Sequence, residues 1–146
     1  MDSMKQFNKG LLSAILLAAM TVFAGCAGTG VDSGIKVTLS GDQEVPPVKT
    51  AGSGSGTIVI GADKSVSGSV TTTGVPGLAA HIHIGSAGKN GPVIIPLAKT
   101  ADNVWSVPAG AKLTDAQYES YKAGDLYVNV HSAAYKGGEV RGQIKP

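Results

Sequence analysis

The chain contains three histidines, and two of them, His81 and His83, stand one residue apart in "AAHIHIGSAGKNGPVIIPL". The third, His131, falls in "DLYVNVHS". On a β-strand, residues i and i+2 point to the same side with about 6.6 Å of rise between them. Two imidazoles so placed can converge on one ion, with a third from an adjacent strand. Neutral imidazoles are suitable ligands for copper or zinc, and three of them with an open fourth position make a candidate catalytic centre. The competing reading is that the histidines only support the fold through hydrogen bonds. A geometric condition separates the two: the three ring nitrogens must come within about 4 Å of one another for metal–nitrogen bonds of about 2.0–2.1 Å.

Period-two alternation supplies the neighbours of this set. In "LYVNVH", Leu126, Val128 and Val130 share one face, while Tyr127, Asn129 and His131 share the other. In "GEVRGQI", Val140 and Ile144 lie opposite Glu139, Arg141 and Gln143, and in "HIHI", Ile82 and Ile84 lie opposite His81 and His83. The apolar sides are expected to form a core, and the polar sides an outward sheet face. Tyr127, Asn129, Glu139 and Arg141 are therefore candidate supporting residues around the histidines, and Glu44 and Asp125 could supplement them. Arg141 is expected to form surface or inter-strand ion pairs, with Glu139 or across strands with Glu44. No G-x-S-x-G elbow is present. "GSAGKNG" lacks the G-K-[ST] and the following helix of a phosphate loop, so it reads as a turn whose glycines supply positive φ. No catalytic residues are assigned; the histidines are candidate metal ligands.

The elements that must position these residues are short strands. "IKVTLS", "GTIVIGA", "SVSGSVTTT", "AAHIHIG", "GPVIIPLAK", "NVWSVP", "DLYVNVHS" and "GEVRGQIKP" are bounded by Gly, Asn, Asp or Pro. Pro46 and Pro47 mark "GDQEVPPV" as a turn or an edge. About eight strands at this spacing predict an all-β, Greek-key β-sandwich or barrel. "LTDAQYESYKAG" breaks the pattern. Thr114 as N-cap and Gln117 three residues on form a capping-box signature, and Gly124 can end the turn in a left-handed conformation, so one short helix is expected over 115–122.

The first 25 residues differ in kind. Lys5 and Lys9 precede "LLSAILLAAMTVFAG", which leads to Cys26, the single cysteine. This is the charged, apolar and small-residue order of a secretory signal, and the apolar run is short for a membrane span. "VFAGC" resembles a bacterial lipobox, with Phe23 where leucine is usual. The resemblance implies lipidation at Cys26, with "AGTGVDSG" as a flexible tether. The expected organisation is a signal peptide over 1–25, a tether over 26–34 and a β domain over 35–146. Multiple acyl chains on one cysteine would anchor the chain stably to a membrane, and Ala27 after the cysteine resembles lipoproteins sent to the outer membrane. Without Lys5, Lys9 and Asp2 the chain keeps 10 basic and 9 acidic residues. No basic stripe and few aromatics argue against nucleic acid as a partner. The 21 glycines, spread between Val/Ile/Thr runs, suit many turns.

"LSGDQEVPPV", "AAHIHIGSAGKNGPVIIPL", "YKAGDLYVNVHS" and "GEVRGQI", in that order, resemble the CHRD domain family, over residues 37–144. The resemblance implies an extracytoplasmic β-sandwich module. In chordin such domains belong to a protein that binds secreted growth factors, so a protein partner is one implication. A looser similarity, through "HIHIG" and the all-β pattern, is to copper–zinc superoxide dismutase. Three histidines and one cysteine cannot assemble that enzyme's two-metal site, but a mononuclear copper site stays open. Three functions follow: a lipid-anchored module binding copper or zinc through His81, His83 and His131; a mononuclear copper redox protein with dismutase-like activity; or a structural, protein-interaction domain with no metal.

Overall fold

The computed structural model of the protein describes residues 34–146. The expected signal peptide, Cys26 and the expected tether up to residue 33 lie outside the described residues. Nine strands form one antiparallel sheet: β1 Ile35–Ser40, β2 Ser53–Ile60, β3 Val66–Thr73, β4 Gly77–Ile84, β5 Val93–Pro96, β6 Ala98–Ala101, β7 Val104–Ser106, β8 Leu126–Ser132 and β9 Val140–Ile144. Their order across the sheet is β5-β4-β8-β9-β1-β2-β3-β7-β6.

The expected single strand "GPVIIPLAK" is two strands. It bends at Leu97, whose N–H donates to the Ala80 carbonyl at 2.9 Å. Before the bend the chain pairs with β4, and after it with β7. One polypeptide segment thus spans the two ends of the sheet order and rolls the sheet into a nearly closed barrel. Closure leaves few unpaired edge groups, which is how all-β domains avoid pairing with other chains.

Alternation then decides what is inside. Val37, Leu39, Ile58, Val70, Ile82, Leu126, Val128, Val130, Val140 and Ile144 are buried together with Trp105 in one apolar core. The hairpin between β2 and β3 turns at Asp63 and Lys64. The Asp63 carboxylate accepts from the Ser65 N–H at 3.0 Å and from its hydroxyl at 2.6 Å. Helix α1 spans Asp115–Lys122. Its capping box is formed: the Gln117 N–H donates to Thr114 Oγ1 at 3.2 Å, and the Thr114 N–H donates to Gln117 Oε1 at 2.8 Å. Gly124 follows it at φ +78°. Leu113 is buried, with Tyr118 and Tyr121 packed against the core, and an ion pair joins Lys64 of the hairpin to Asp115 of the helix.

The polar side of β4, β8 and β9 departs from expectation. It faces away from the core, but it is not an outward solvent face. The segment after β1, a 3-10 turn over Gly41–Gln43 and the chain to Thr50, and the loop between β4 and β5 lie over it. Tyr127, Asn129, Glu139 and Arg141 are buried there.

Candidate metal centre

The strand register brings the histidines together. His81 on β4 is the partner of Asn129 on β8, His83 of Tyr127, and Ala79 of His131. His81, His83 and His131 therefore share one face, with His131 on the diagonal from His81. His81 Nδ1 lies 3.0 Å from His131 Nε2. Potential ligand nitrogens of all three lie within 4.8 Å of one another. That is wider than the sequence condition of about 4 Å, and a tetrahedral ion would need about 3.3 Å. The excess reflects how the rings are held: two are hydrogen-bonded to each other, and the third is fixed from another side. Side-chain rotation has to close the gap.

Two backbone carbonyls set the protons on these rings. His83 Nδ1 is 2.9 Å from the Gly91 carbonyl, and His131 Nδ1 is 2.9 Å from the Lys136 carbonyl. A carbonyl only accepts, so Nδ1 carries the proton in each neutral ring and Nε2 keeps a lone pair. His131 Nε2 then accepts from His81 Nδ1–H, which leaves a lone pair on His81 Nε2. His83 Nε2 is buried and has no hydrogen-bond partner. Outer hydrogen bonds of this kind fix tautomer and ring direction at metal sites. Burial is the main cause holding both His81 and His83 below the ordinary imidazole pKa. His131 adds to both by its charge, and at His83 the Gly91 carbonyl pulls the other way. His81 and His83 are therefore neutral and ligand-competent at physiological pH.

The loop that carries Gly91 is moored by Arg141, which is 1% exposed. Its guanidinium donates to the Lys89 carbonyl at 2.9 Å, the Ser86 carbonyl at 3.0 Å and Gln143 Oε1 at 3.1 Å. Its plane also lies over the Tyr127 ring, with Cζ 3.5 Å from the centroid. Tyr127 in turn stacks on His83, centroids 4.6 Å apart and planes at 6°. Arg141, Tyr127 and His83 form one continuous stack. The expected ion pairs are absent: among the described residues Arg141 forms none with Glu139 or Glu44. Glu139 Oε1 instead accepts from the Thr50 hydroxyl at 2.7 Å. The physical reason is the covering loop, whose carbonyls occupy the guanidinium first.

Gly91 permits the loop's approach. A Cβ there would come 1.7 Å from the Ile84 carbonyl oxygen. Its role is close packing, whereas Gly88 has the positive φ expected of the turn, +76°.

Glu44 is another residue the sequence offers as a supplement to the site. It is buried beneath the covering segment, with Oε1 unpartnered. Desolvation pushes its pKa up to about 7, against opposing effects from the Asn129 amide and the Arg141 charge. Asp125 is not brought to the histidines by any observed contact; its carbonyl accepts from the Gly85 N–H. Sequence reasoning missed the Gly91 and Lys136 carbonyls, since backbone groups leave no residue-type signal.

An all-β domain with a three-imidazole cluster beside a buried polar face is the class these features define. The family model of the CHRD domain matches residues 35–144, and the chain belongs to that family. No curated protein and no solved structure matches it. Among the described residues no helix is long and apolar enough to cross a membrane.

Proposed function

We propose that the protein is a lipid-anchored, extracytoplasmic CHRD-domain module that binds one copper or zinc ion through His81, His83 and His131. The carrying observation is the pair of carbonyl contacts to His83 and His131 Nδ1, which leaves Nε2 of each as the donor atom. The buried, unpartnered His83 Nε2 supports the same reading. Three neutral nitrogen donors suit both metals, and copper(II) binds more tightly than zinc to a given nitrogen site. When bound, the ion would supply a Lewis-acid or redox centre. The chain's own part is to hold His83 between Gly91 and Tyr127, and His131 against Lys136. Tyr127 and Arg141 act through His83 and the loop.

Anchoring is part of this proposal. It rests on the apolar segment ending at "VFAGC" and on Cys26 as the single cysteine. It implies attachment to a bacterial cell envelope, at the outer membrane where two membranes exist. An extracytoplasmic protein partner is compatible with the family.

The test is titration of the purified chain with copper(II) and with zinc(II), followed by elemental analysis. One equivalent is expected, lost in His81→Ala, His83→Ala and His131→Ala. Absence of binding at micromolar metal, or binding unaffected by these changes, refutes the metal reading. Palmitate labelling that disappears in Cys26→Ala tests the anchor separately. Labelling that persists in that variant, or is absent from the wild type, refutes it.

A further inference from the structure

Asn129 occupies the middle of the histidine cluster. It is the cross-strand partner of His81 and stands two residues before His131 on β8. On the same strand face it also stands on the diagonal from His83, whose direct cross-strand partner is Tyr127. The side chain is buried.

Its two ends have different surroundings. Nδ2 donates to the Gly137 carbonyl at 3.4 Å. The same nitrogen and Glu44 Oε1 lie 2.5 and 2.3 Å from the place a Cβ on residue 138 would take, which Gly138 leaves empty. The NH2 end is thus turned to Gly137, Gly138 and Glu44, all of which present acceptors or open space. The Oδ1 end is buried and receives no donor. Swapping the two ends would set the amide oxygen against the Gly137 carbonyl oxygen.

His83 meets this amide with a second unsatisfied atom. Its Nδ1–H is committed to the Gly91 carbonyl, so Nε2 carries a lone pair, buried and without a donor. Two neighbouring residues therefore each hold a buried lone pair with no proton to share. Buried acceptors left without a donor are costly, and native proteins rarely tolerate two together. A cation relieves both at once.

We propose that Asn129 is a fourth ligand of the centre, contributing amide oxygen Oδ1 beside the three imidazoles. The inference rests on the metal reading above and deepens it. Three nitrogens and one neutral, hard oxygen favour a divalent ion; copper(I), which prefers soft donors, gains little from an amide oxygen. The donor set thus selects copper(II) or zinc(II) over copper(I). Glu44 and Gly137 are positioning groups that hold the NH2 end and so leave the amide oxygen free for the ion.

Copper(II) and copper(I) affinities, with the copper(II) electron paramagnetic resonance spectrum, test this in the full chain and in Asn129→Leu and Asn129→Asp. Asn129→Leu is expected to weaken copper(II) about tenfold or more, to leave copper(I) within about twofold, and to change the parallel hyperfine coupling while three nitrogens remain. Asn129→Asp, which keeps the shape and adds a charge, is expected to tighten copper(II). It also carries the test should the leucine variant not fold, as judged by circular dichroism. Copper(II) binding and spectrum unchanged in the leucine variant overturn the proposal. So does equal weakening of both oxidation states with an unchanged spectrum, which marks a positioning role. An aspartate variant with unaltered affinity and spectrum overturns it too. A wild-type chain that binds no metal overturns the metal reading itself, whereas wild-type binding with indifferent Asn129 variants overturns the fourth ligand alone.

Discussion

Arg141→Met tests whether one buried guanidinium holds the site together. The wild-type group donates to the Lys89 and Ser86 carbonyls and lies 3.5 Å from the Tyr127 ring centroid. Methionine fills a similar space but donates nothing. Two loop carbonyls lose their donor at about 1–3 kcal/mol each, and the desolvated cation–π contact adds about 2 kcal/mol. Against this stands the relief of no longer burying a charge, a burial strong enough to pull the Arg141 pKa down. The balance is a loss of about 3–4 kcal/mol, read as a lower midpoint in urea unfolding. The damage should also be local. Amides of residues 85–91 should exchange faster than those of β2 and β3, since the loop loses its mooring while the core strands keep theirs. A loss under about 1 kcal/mol, with loop exchange unchanged, would refute the reasoning.

Glu44→Gln should remove a pH dependence. The wild-type carboxyl titrates near pH 7 in the folded chain, against a reference value of 4.5. Its protonated form is favoured by folding, so its stabilisation is present below about pH 4.5 and is lost as pH rises through about 7, by at most about 3 kcal/mol. His81 and His83 are shifted down, so they act in the opposite direction as pH falls below about 6.5. The difference between wild-type and Glu44→Gln stability curves cancels them: it should be small at pH 5, where the protonated carboxyl resembles the amide, and grow steadily in the variant's favour up to pH 8. A constant difference contradicts the burial argument. Gly91→Ala should destabilise the chain by about 2 kcal/mol or more and weaken metal binding with it, because the new Cβ meets the Ile84 carbonyl and displaces the carbonyl that holds His83. Calorimetry and metal titration of that variant check both, and an alanine variant that matches the wild type would show that the loop has room to spare.

The division of faces was legible in the residues. Alternation in "LYVNVHS" and "HIHI" put Tyr127, Asn129 and His131 on one side of their strand and His81 and His83 on one side of theirs, because a strand has no other way to distribute its side chains, while the pairing of β4 with β8 that joins the two sets came only with the fold. The helix at 115–122 was legible for the same local reason: Thr114 and Gln117 satisfy each other's backbone donors wherever the helix packs. Barrel closure was not legible. "GPVIIPLAK" is one apolar run, and its division at Leu97 follows from which neighbours it meets, not from its own pattern. The covering of the polar face was equally hidden. Alternation tells which side Arg141 takes, but not that loop carbonyls will claim its donors before Glu139 or Glu44 can. The tautomers of His83 and His131 depend on the carbonyls of Gly91 and Lys136, which any residue type could have supplied.

The central claim is that three histidines act as one centre, and nitrogen-15 NMR of the imidazole rings during zinc(II) titration tests it most directly. Before metal, His83 and His131 should show the Nδ1–H tautomer dictated by their carbonyl partners. Up to one equivalent of zinc, resonances of His81, His83 and His131 should shift together, with Nε2 of His83 and His131 moving most and their Nδ1 protons retained. Shifts confined to one of the three histidines, or none at one equivalent, would contradict a shared metal centre.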